Sequence, residues 1–397
     1  ATLTLTGSQN TFIADSMSLT SSATVSAGTN SVTLRQKTNT KAIDLGATDS
    51  ATVLGLTDAE LDRVTAGTLQ IGDTNSGTIT VSAALTATQG GQNNLSLTTG
   101  AGITINQAIT MASDKSLTAT STSTTVGITL ANSSANLSTT GTGTITLAAN
   151  KMAINSAASI SAASTSSVTL RQGTNGVAIN LGSTVDTTAS TLELSVVELG
   201  RVTAGTLNIG DTNSGTITVS DGLTTTQGGQ NNLSLTTGAG IVVNQAITMA
   251  GGKSFSALTT STTAGITLPS GNSDIATSGA GAISLTAARN VLMSSGSSLT
   301  TVDGNLTVNA NQQMTATGGA FNGVQLNNAV LLTTGIGAVT VNGRGGDSGV
   351  AQIGVQVEGG SSITGGTGSV IVQGTGGAST GSGNHGVQIY SFGGLSK

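Results

Sequence analysis

The phrase RVTAGTLQIGDTNSGTITV at residues 63–81 returns at residues 201–219 as RVTAGTLNIGDTNSGTITV, where Gln70 has become Asn208 and nothing else has changed. A catalytic site seldom needs a second copy so far along the same chain. Duplication of a structural unit, in contrast, produces such a repetition directly. The phrase therefore indicates a repeat architecture before it indicates any chemistry.

The repetition extends well beyond this phrase. Residues 63–112 match residues 201–250 with six changes, and SVTLRQ at 31–36 returns at 167–172. The offset between the copies is slightly larger for residues 63–112 than for SVTLRQ, as expected for a short insertion in a loop between the two matches. We therefore predict a domain at residues 1–300 that contains two repeats of about 137 residues.

Pairs of aliphatic residues with one polar residue between them recur about every eight to ten residues. This alternation is typical of a strand with one buried and one solvent-facing side. Clusters of Gly, Asn, Ser and Thr separate the pairs and suit turns. Three such strands would form a coil of about 25–31 residues, and stacked coils would form an all-β parallel β-helix, or β-solenoid. The residues expected to face its interior are Leu69, Ile71, Ile79 and Val81, then Leu207, Ile209, Ile217 and Val219.

The chain is poor in the residues that fill a wide core. It has no Cys or Trp, one Tyr and four Phe, against 57 Gly. So few aromatic residues fill the gap of about 10 Å between two packed sheets poorly. The alternative fold, a string of antiparallel sandwiches, keeps some support from the hairpin-like dipeptides Asn175–Gly176, Asp303–Gly304 and Asn342–Gly343. The composition favours the narrow interior of a β-helix.

One stretch in each repeat breaks the strand rhythm. In LTDAELDRV at residues 56–64, Thr57 precedes Glu60 by three residues, which is the spacing of a capping box at a helix start. The second copy keeps this pair as Ser195 and Glu198. We predict one short decorating helical turn per repeat. The leucines expected to fold back against the solenoid are Leu56 and Leu61, then Leu194 and Leu199.

The last hundred residues change character and form a second predicted domain at 301–397, a Gly-rich β-solenoid. The phrases GVQL, GVQV and GVQI begin at positions 323, 354 and 386. Their nearly constant spacing of about 31 residues predicts one coil per repeat, with loops such as GTGGASTGSGNHG extruded between the strands.

The phrase LTDAELDRVTAGTLQIGDTNSGTITVS at 56–82, the phrase GVQVEGGSSITGGTGSVIVQGTGG at 354–377 and the Thr/Gly/Asn-rich texture between them resemble the repeat regions of large bacterial exported proteins of the filamentous-haemagglutinin-like and adhesin type. The resemblance covers essentially the whole chain, and its motifs report architecture more than activity. It implies a right-handed β-helical shaft, export through an outer-membrane pore, an extracellular or cell-surface location, and work in adhesion or matrix structure. No signal peptide, NPNG secretion motif or C-terminal barrel is recognised in the sequence, so we expect a mature or excised portion of something larger.

Candidates for chemistry are few, and we predict no enzyme, no cofactor and no metal site. His385 is the only His, so it cannot join a His pair or a triad with a second base. The recurring Arg63 and Asp73, which return as Arg201 and Asp211, are interpreted as structural contacts. The densest acidic run loses three members in the second copy, where the scaffold persists. This run consists of Asp44, Asp49, Asp58, Glu60, Asp62 and Asp73.

Other binding classes receive little support. A net charge of −5 with scattered Lys and Arg gives no nucleic-acid footprint, and no apolar run is long enough for a membrane span. The repeated Thr-X-Thr pattern also fits an ice-binding face, but irregular coils oppose a flat lattice. The amides of QGGQNNLSL at 89–97 and 227–235 are expected to stack as Asn and Gln ladders at a corner.

Two functions remain. The leading hypothesis is a structural unit of an extracellular bacterial fibre, matrix filament or adhesin stalk, and the alternative is an adhesin module that binds glycans or surfaces through its extruded loops. Both ends of the sequence are strand-like, and open strand edges recruit further strands. We therefore predict head-to-tail self-association into filaments, with covalent continuation of the chain as the alternative. The assembly residues predicted at the two ends are Leu3, Leu5, Val387, Ile389, Tyr390 and Phe392.

Overall fold

The structure is a computed structural model that describes residues 1–87, 91–183 and 191–390. It is nearly all β, with long parallel sheets and two four-residue helices among the described residues. The chain divides into two compact units, and each consists of two segments. The first unit is Ala1–Val177 with Thr184–Asn208, and the second is Ala178–Ser183 with Ile209–Lys397.

The strands are short and follow one another at nearly regular intervals. Up to the end of the second helix they are β1 (Thr2–Thr4), β2 (Gln9–Ile13), β3 (Thr24–Ser26), β4 (Ser31–Arg35), β5 (Ala42–Leu45), β6 (Val53–Leu56), then helix α1 (Asp58–Leu61), β7 (Val64–Thr65), β8 (Thr68–Ile71), β9 (Ile79–Val81), β10 (Asn94–Thr99), β11 (Ile103–Ile105), β12 (Ile109–Thr110), β13 (Leu117–Ser121), β14 (Ile128–Leu130), β15 (Leu137–Ser138), β16 (Ile145–Ala148), β17 (Met152–Ile154), β18 (Ile160–Ser161), β19 (Ser167–Arg171), β20 (Ala178–Leu181), β21 (Thr191–Leu194) and helix α2 (Val196–Leu199).

The remaining strands continue the same rhythm. They are β22 (Val202–Thr203), β23 (Thr206–Ile209), β24 (Ile217–Val219), β25 (Asn232–Thr237), β26 (Ile241–Val243), β27 (Ile247–Thr248), β28 (Phe255–Thr259), β29 (Ile266–Leu268), β30 (Ile275–Ala276), β31 (Ile283–Ala287), β32 (Val291–Ser294), β33 (Ser298–Thr301), β34 (Leu306–Ala310), β35 (Val324–Asn327), β36 (Val330–Thr333), β37 (Val339–Arg344), β38 (Val355–Glu358), β39 (Ser362–Thr364), β40 (Val370–Thr375) and β41 (Val387–Ile389).

In the first unit, successive strands join three different sheets in rotation. One sheet runs β2-β4-β8-β10-β13-β16-β19, a second runs β6-β5-β9-β11-β14-β17, and a third runs β12-β15-β18-β22. A further small sheet is β1-β3-β7. From β8 to β18 each turn of the chain adds one strand to each of the first two sheets, and from β12 also one to the third. This is the order that a coil of three parallel strands produces.

The second unit repeats this arrangement. Its sheets run β25-β28-β31-β34-β37-β40, β20-β24-β26-β29-β32-β35-β38-β41 and β27-β30-β33-β36-β39. The three GVQ phrases are β35, β38 and β41, and their central residues Gln325, Gln356 and Gln388 lie side by side in register. These pairings confirm that each GVQ phrase belongs to a separate coil.

Coil length varies more than the sequence indicated. Leu95 pairs with Leu117 across a short coil, whereas Val32 pairs with Leu69 across a much longer one. The expected range of about 25–31 residues was too narrow. The excess in the longer of these two coils is due to an additional strand and the helix α1, which both lie between Val32 and Leu69.

The interior of each unit is built from aliphatic side chains. Every described strand pairing is parallel, so the antiparallel sandwich is not supported, and Asn342–Gly343 lies inside β37 instead of at a hairpin. The eight interior positions predicted from the duplication are all fully buried, namely Leu69, Ile71, Ile79, Val81, Leu207, Ile209, Ile217 and Val219. The parallel sheets are compatible with a β-solenoid.

The additional strand of the long coil was not predicted. β6 pairs in parallel with β5, on the side opposite β9. The chain therefore adds a second strand to the same sheet before it enters α1. The connection between the two strands is tight, because a Cβ at Gly55 would lie 2.2 Å from the carbonyl carbon of Thr48. In β6 the last three residues are all buried, so the alternation that marks a half-exposed strand is missing.

Burial on alternate sides of one strand gives a direct test. In β11, Ile103 is fully buried and Thr104 faces outward beside Thr80 and Thr129. We expect Ile103→Asp to lower the free energy of unfolding by several kcal/mol, at least about 2–3, because it buries an unpaired charge. Thr104→Asp, the matched control, places the same charge in water and is expected to change it by less than about 0.5 kcal/mol. Urea unfolding followed by circular dichroism measures both, and equal losses would show that the register is wrong.

Candidate assembly site

The capping box predicted before α1 is present and has a second role. The backbone N–H and the hydroxyl of Thr57 both donate to Oε2 of Glu60, at 3.0 and 2.7 Å. Oε1 of the same carboxylate accepts the backbone N–H of Leu19 at 3.1 Å. One side chain therefore caps the helix and also fixes a segment of an earlier coil.

The second copy has the same set of hydrogen bonds. Ser195 donates from its backbone N–H and its hydroxyl to Oε2 of Glu198, at 2.9 and 2.7 Å. Oε1 accepts the backbone N–H of Ile154 at 3.0 Å. The predicted leucines fold back as expected, since Leu56, Leu61, Leu194 and Leu199 are fully buried. The helical turn is a structural clasp between neighbouring coils.

Most carboxylates of the acidic run are likewise engaged with the backbone or with hydroxyls. Asp49 accepts hydrogen bonds from the backbone N–H groups of Met17 and Gly55, both at 2.9 Å. Asp44 accepts the hydroxyl of Ser82 at 2.5 Å. The contacts with Met17 and Ser82 tie one coil to another.

Asp58 and Asp62 are the exceptions. Each has one buried oxygen atom without a hydrogen-bond partner, and burial, with the nearby charge of Asp62, raises the pKa of Asp58. Within the described residues, no group of three or more His, Cys, Asp or Glu side chains could hold a metal ion. Asp58 is the first residue of α1, and Asp62 is the residue directly after its end.

Asp73 and Arg63 each make a structural contact, but not with one another. Its carboxylate lies 3.2 Å from the guanidinium of Arg35, and it accepts the amide of Gln36 at 3.1 Å. Arg63 instead donates to the carbonyl of Leu19 at 2.8 Å. The signal that could have identified Arg35 is present in the sequence, because SVTLRQ itself is repeated.

Two further carboxylates, of Asp15 and Asp114, hold turns of the following coil. Asp15 accepts the backbone N–H groups of Lys37 and Thr38, at 2.9 and 2.8 Å, and the Thr38 hydroxyl. Asp114 accepts the backbone N–H of Thr142 at 2.7 Å and its hydroxyl at 3.0 Å. The hydrogen bonds from Thr38 and Thr142 lower the pKa of Asp15 and of Asp114.

Two of the corner amides in the first copy bind backbone groups of a neighbouring corner. In the first copy, Asn93 donates to the carbonyl of Val64 at 3.0 Å and accepts the N–H of Ala66 at 2.8 Å. Asn94 donates to the carbonyl of Gly67 in the same manner, at 2.9 Å. These amides complete the hydrogen bonds of neighbouring corners, so the prediction of an Asn and Gln ladder was wrong for these two residues. Residues 88–90, which include the start of the phrase, lie outside the described part.

The predicted assembly residues fall in both units. Leu3 lies in the first unit opposite Val25 of the next coil and is 48% exposed, and Leu5 is partly buried. In the second unit, Val387 and Ile389 are 41% and 75% exposed. Phe392 lies outside the described residues.

Core-facing side chains of β40 and β41 form an exposed apolar surface. Val370, Val387 and Ile389 lie in register with buried Val339, Val355 and Val357, so they continue rows of interior residues. Val370 is nevertheless 44% exposed. We call Val370, Val387 and Ile389 the terminal apolar face. The sequence analysis missed Val370, although one further coil period counted from Val339 would have identified it.

Tyr390 is anchored within its own unit. Its hydroxyl accepts the amide of Gln356 at 2.6 Å, and hydrogen bonding to Glu358, then burial and the charge of Glu358, raise the pKa of Tyr390. Glu358 is almost fully buried and also accepts the amide of Gln325 at 3.0 Å. The hydroxyl of Tyr390 is thus occupied, and the role of its ring in assembly stays a prediction.

The extruded loops of the second unit stack on one another. Gly319 donates to Asp347 at 2.7 Å, and the backbone N–H of Gln352 donates to Asn384 at 2.9 Å. His385 and Val350 are exposed on these loops. No helix in the described part of the chain is both long and apolar enough to span a membrane.

The hydrogen-bonded carboxylates of Asp15, Asp73 and Asp114 predict that the fold loses stability in acid. The pKa values of Asp15, Asp73 and Asp114 are lowered in the folded chain. Their stabilisation is therefore complete above the unfolded-state pKa of about 3.9 and is lost as the pH falls through the lower folded-state values. We expect the urea midpoint to fall below about pH 4. Asp114→Asn should lower the midpoint at neutral pH and flatten its acid dependence, and an unchanged pH profile would contradict the stabilising role of its carboxylate.

The clasp at α2 gives a second prediction. Glu198→Ala removes three hydrogen bonds and should lower the free energy of unfolding by about 1–2 kcal/mol. Val197→Ala, on the exposed side of the same helix, is the control and should have little effect. Urea unfolding of the two variants compares them. If the two substitutions lower the free energy of unfolding equally, the Glu198 carboxylate does not join the coils as described.

Comparison with known proteins adds no family assignment, because no family model, curated protein or solved structure matches the chain. The resemblance to filamentous-haemagglutinin-like and adhesin repeats therefore depends on the phrases quoted above.

Proposed function

We propose that this chain is a structural unit of an extracellular bacterial fibre, matrix filament or adhesin stalk, and that copies of it join head to tail. In this proposal the parallel sheets close into a right-handed β-helix, as in the family that the repeated phrases resemble. The observation that carries the proposal is the terminal apolar face, where side chains of interior rows are exposed to water.

The terminal apolar face lies on the last described strands of two sheets. Within the described residues, β40 pairs only with β37 and β41 only with β38, so no described strand occupies the other edge of either. Such edges add strands readily, and the apolar side chains beside them favour burial.

The first unit offers a surface that could receive this face. β2 is the edge strand of its sheet and borders an apolar cavity of about 450 Å³. Phe12, Met17 and Leu19 line this cavity, and Leu3 is exposed on β1 nearby in sequence. Pairing of β40 of one copy with β2 of the next would continue a parallel sheet from chain to chain. Such a contact is heterologous and does not close, so it propagates as a filament.

The remaining surface suits a passive shaft. Charged residues make up 7% of the chain, and several of the carboxylates bind neighbouring coils, as described above. Coil-to-coil clasps of this kind stabilise an extended stack without creating a reactive site. The absence of Cys suits passage through a secretion pore followed by folding without disulfide formation.

Two adjacent residues of β40 test the assembly. Val370 faces the interior row, whereas Ile371 lies opposite Thr340 on the outer side and is 51% exposed. We expect Val370→Asp to abolish filaments, because it places a charge in the proposed junction, and Ile371→Asp to leave them intact. Sedimentation velocity and negative-stain electron microscopy measure assembly, while circular dichroism checks folding. Head-to-tail joining is refuted if the unmodified chain stays monomeric at high concentration or if both variants assemble equally.

The second candidate function is binding of glycans or surfaces through the extruded loops. It is favoured by the stacked loops of the second unit, where Val350 is 64% exposed and His385 is exposed. A glycan array and a cell-binding assay with the assembled chain separate the two functions, since a shaft alone should give no specific signal.

A further inference from the structure

The turns at residues 36–41 and 172–177 occupy equivalent positions in the two repeats. Each has a residue with positive φ at its tip, Thr40 at 64° and Gly176 at 80°. In the first repeat the start of the turn is fixed by Asp15, as described above. In the second repeat Asn150 does this, since its Oδ1 accepts the backbone N–H groups of Gly173 and Thr174, both at 3.0 Å.

The tip of the second turn carries an exposed Asn–Gly pair. Asn175 and Gly176 are both exposed, and the Asn175 side chain makes no hydrogen bond within the described residues. A Cβ placed at Gly176 would have no neighbour within 4 Å, so the surroundings of the tip are open. Backbone and side chain at this point are free to approach one another.

We propose that Asn175 is a site of spontaneous deamidation in the folded chain. The backbone nitrogen of Gly176 attacks Cγ of Asn175, a new N–Cγ bond closes a cyclic succinimide, and the side-chain nitrogen leaves as ammonia with the proton that the Gly176 nitrogen gives up. Water then opens the ring at either carbonyl. The product is aspartate or isoaspartate, and the turn gains one negative charge.

Glycine decides the reactivity of this turn. It has no Cβ to obstruct the attack of its nitrogen, whereas the β-branched side chain of Thr40 crowds the equivalent nitrogen in the first repeat. That nitrogen also donates a hydrogen bond to the carbonyl of Asn75 at 2.7 Å. Asn39, which precedes Thr40 and is equally exposed, is therefore a natural control within the same chain.

The other two Asn–Gly pairs are held by the fold. Oδ1 of Asn322 accepts the N–H of Ile353 at 2.9 Å, and its amide donates to Gln356. Asn342 lies inside β37, and its amide donates to Asn309 at 2.8 Å. In both pairs the glycine is buried. We expect these side chains to be unable to reach the attack geometry while the chain is folded.

An arginine-specific protease separates the relevant sites. After incubation of the folded full-length chain in mildly alkaline buffer, cleavage gives residues 36–63 with Asn39, residues 172–201 with Asn175, and residues 290–344 with both protected pairs. Mass spectrometry of these peptides follows the exchange of amide for carboxylate, and an isoaspartyl methyltransferase assay detects isoaspartate. Asn175 should react roughly tenfold or more faster than Asn39, Asn322 or Asn342.

Two controls show whether the fold is responsible. Gly176→Thr reproduces the first-repeat turn and should slow reaction at Asn175 to the rate of Asn39. In urea, the pairs at Asn322 and Asn342 should react as fast as Asn175. Equal rates at all three Asn–Gly pairs in the folded chain would overturn the proposal, as would an Asn175 that stays unmodified while the urea sample reacts. Either outcome leaves the proposed filament function unaffected.

Discussion

Hydrogen bonding between parallel strands of successive coils is the interaction on which the rest of this structure depends. It fixes the separation of the coils at about 4.8 Å, so interior side chains must repeat in rows and large aromatic residues have few places. Register follows from it, as in the row of Gln325, Gln356 and Gln388. Wherever the chain turns, however, backbone groups leave the ladder and need other partners.

Polar side chains of the chain supply these partners. Hydroxyl, amide and carboxylate groups at the corners bind backbone groups of the neighbouring coil. The buried hydroxyl of Thr99 donates to the carbonyl of Gly77 at 2.6 Å, and Thr237 repeats this contact with Gly215 at the same distance. Acidic residues that resemble a catalytic cluster in the sequence perform the same task. Groups held in this way suit the structural role proposed above.

Strand edges and loops differ from the rest of the structure because their backbone groups lie outside the ladder of hydrogen bonds. Val370 and Ile389 continue rows of interior residues, and they are 44% and 75% exposed. Loops extruded between strands are free from the ladder, so they can carry exposed groups such as the side chain of Val350 without disturbing the rows. In the proposed functions, assembly would use the strand edges and recognition would use the loops.

The sequence by itself determined the features that depend on neighbours along the chain. Alternation around Ile79 predicted the strands and their buried side, the near-identical phrases predicted the duplication, and the spacing of Thr57 and Glu60 predicted a helix cap. Tertiary structure alone decided which groups meet between coils, because those partners are separated by a whole coil of variable length and have no fixed spacing. Examples are the pairing of Asp73 with Arg35 and the parallel pairing of β6 with β5. Local periodicity records which side of a strand is buried, but it does not record which coil lies above it.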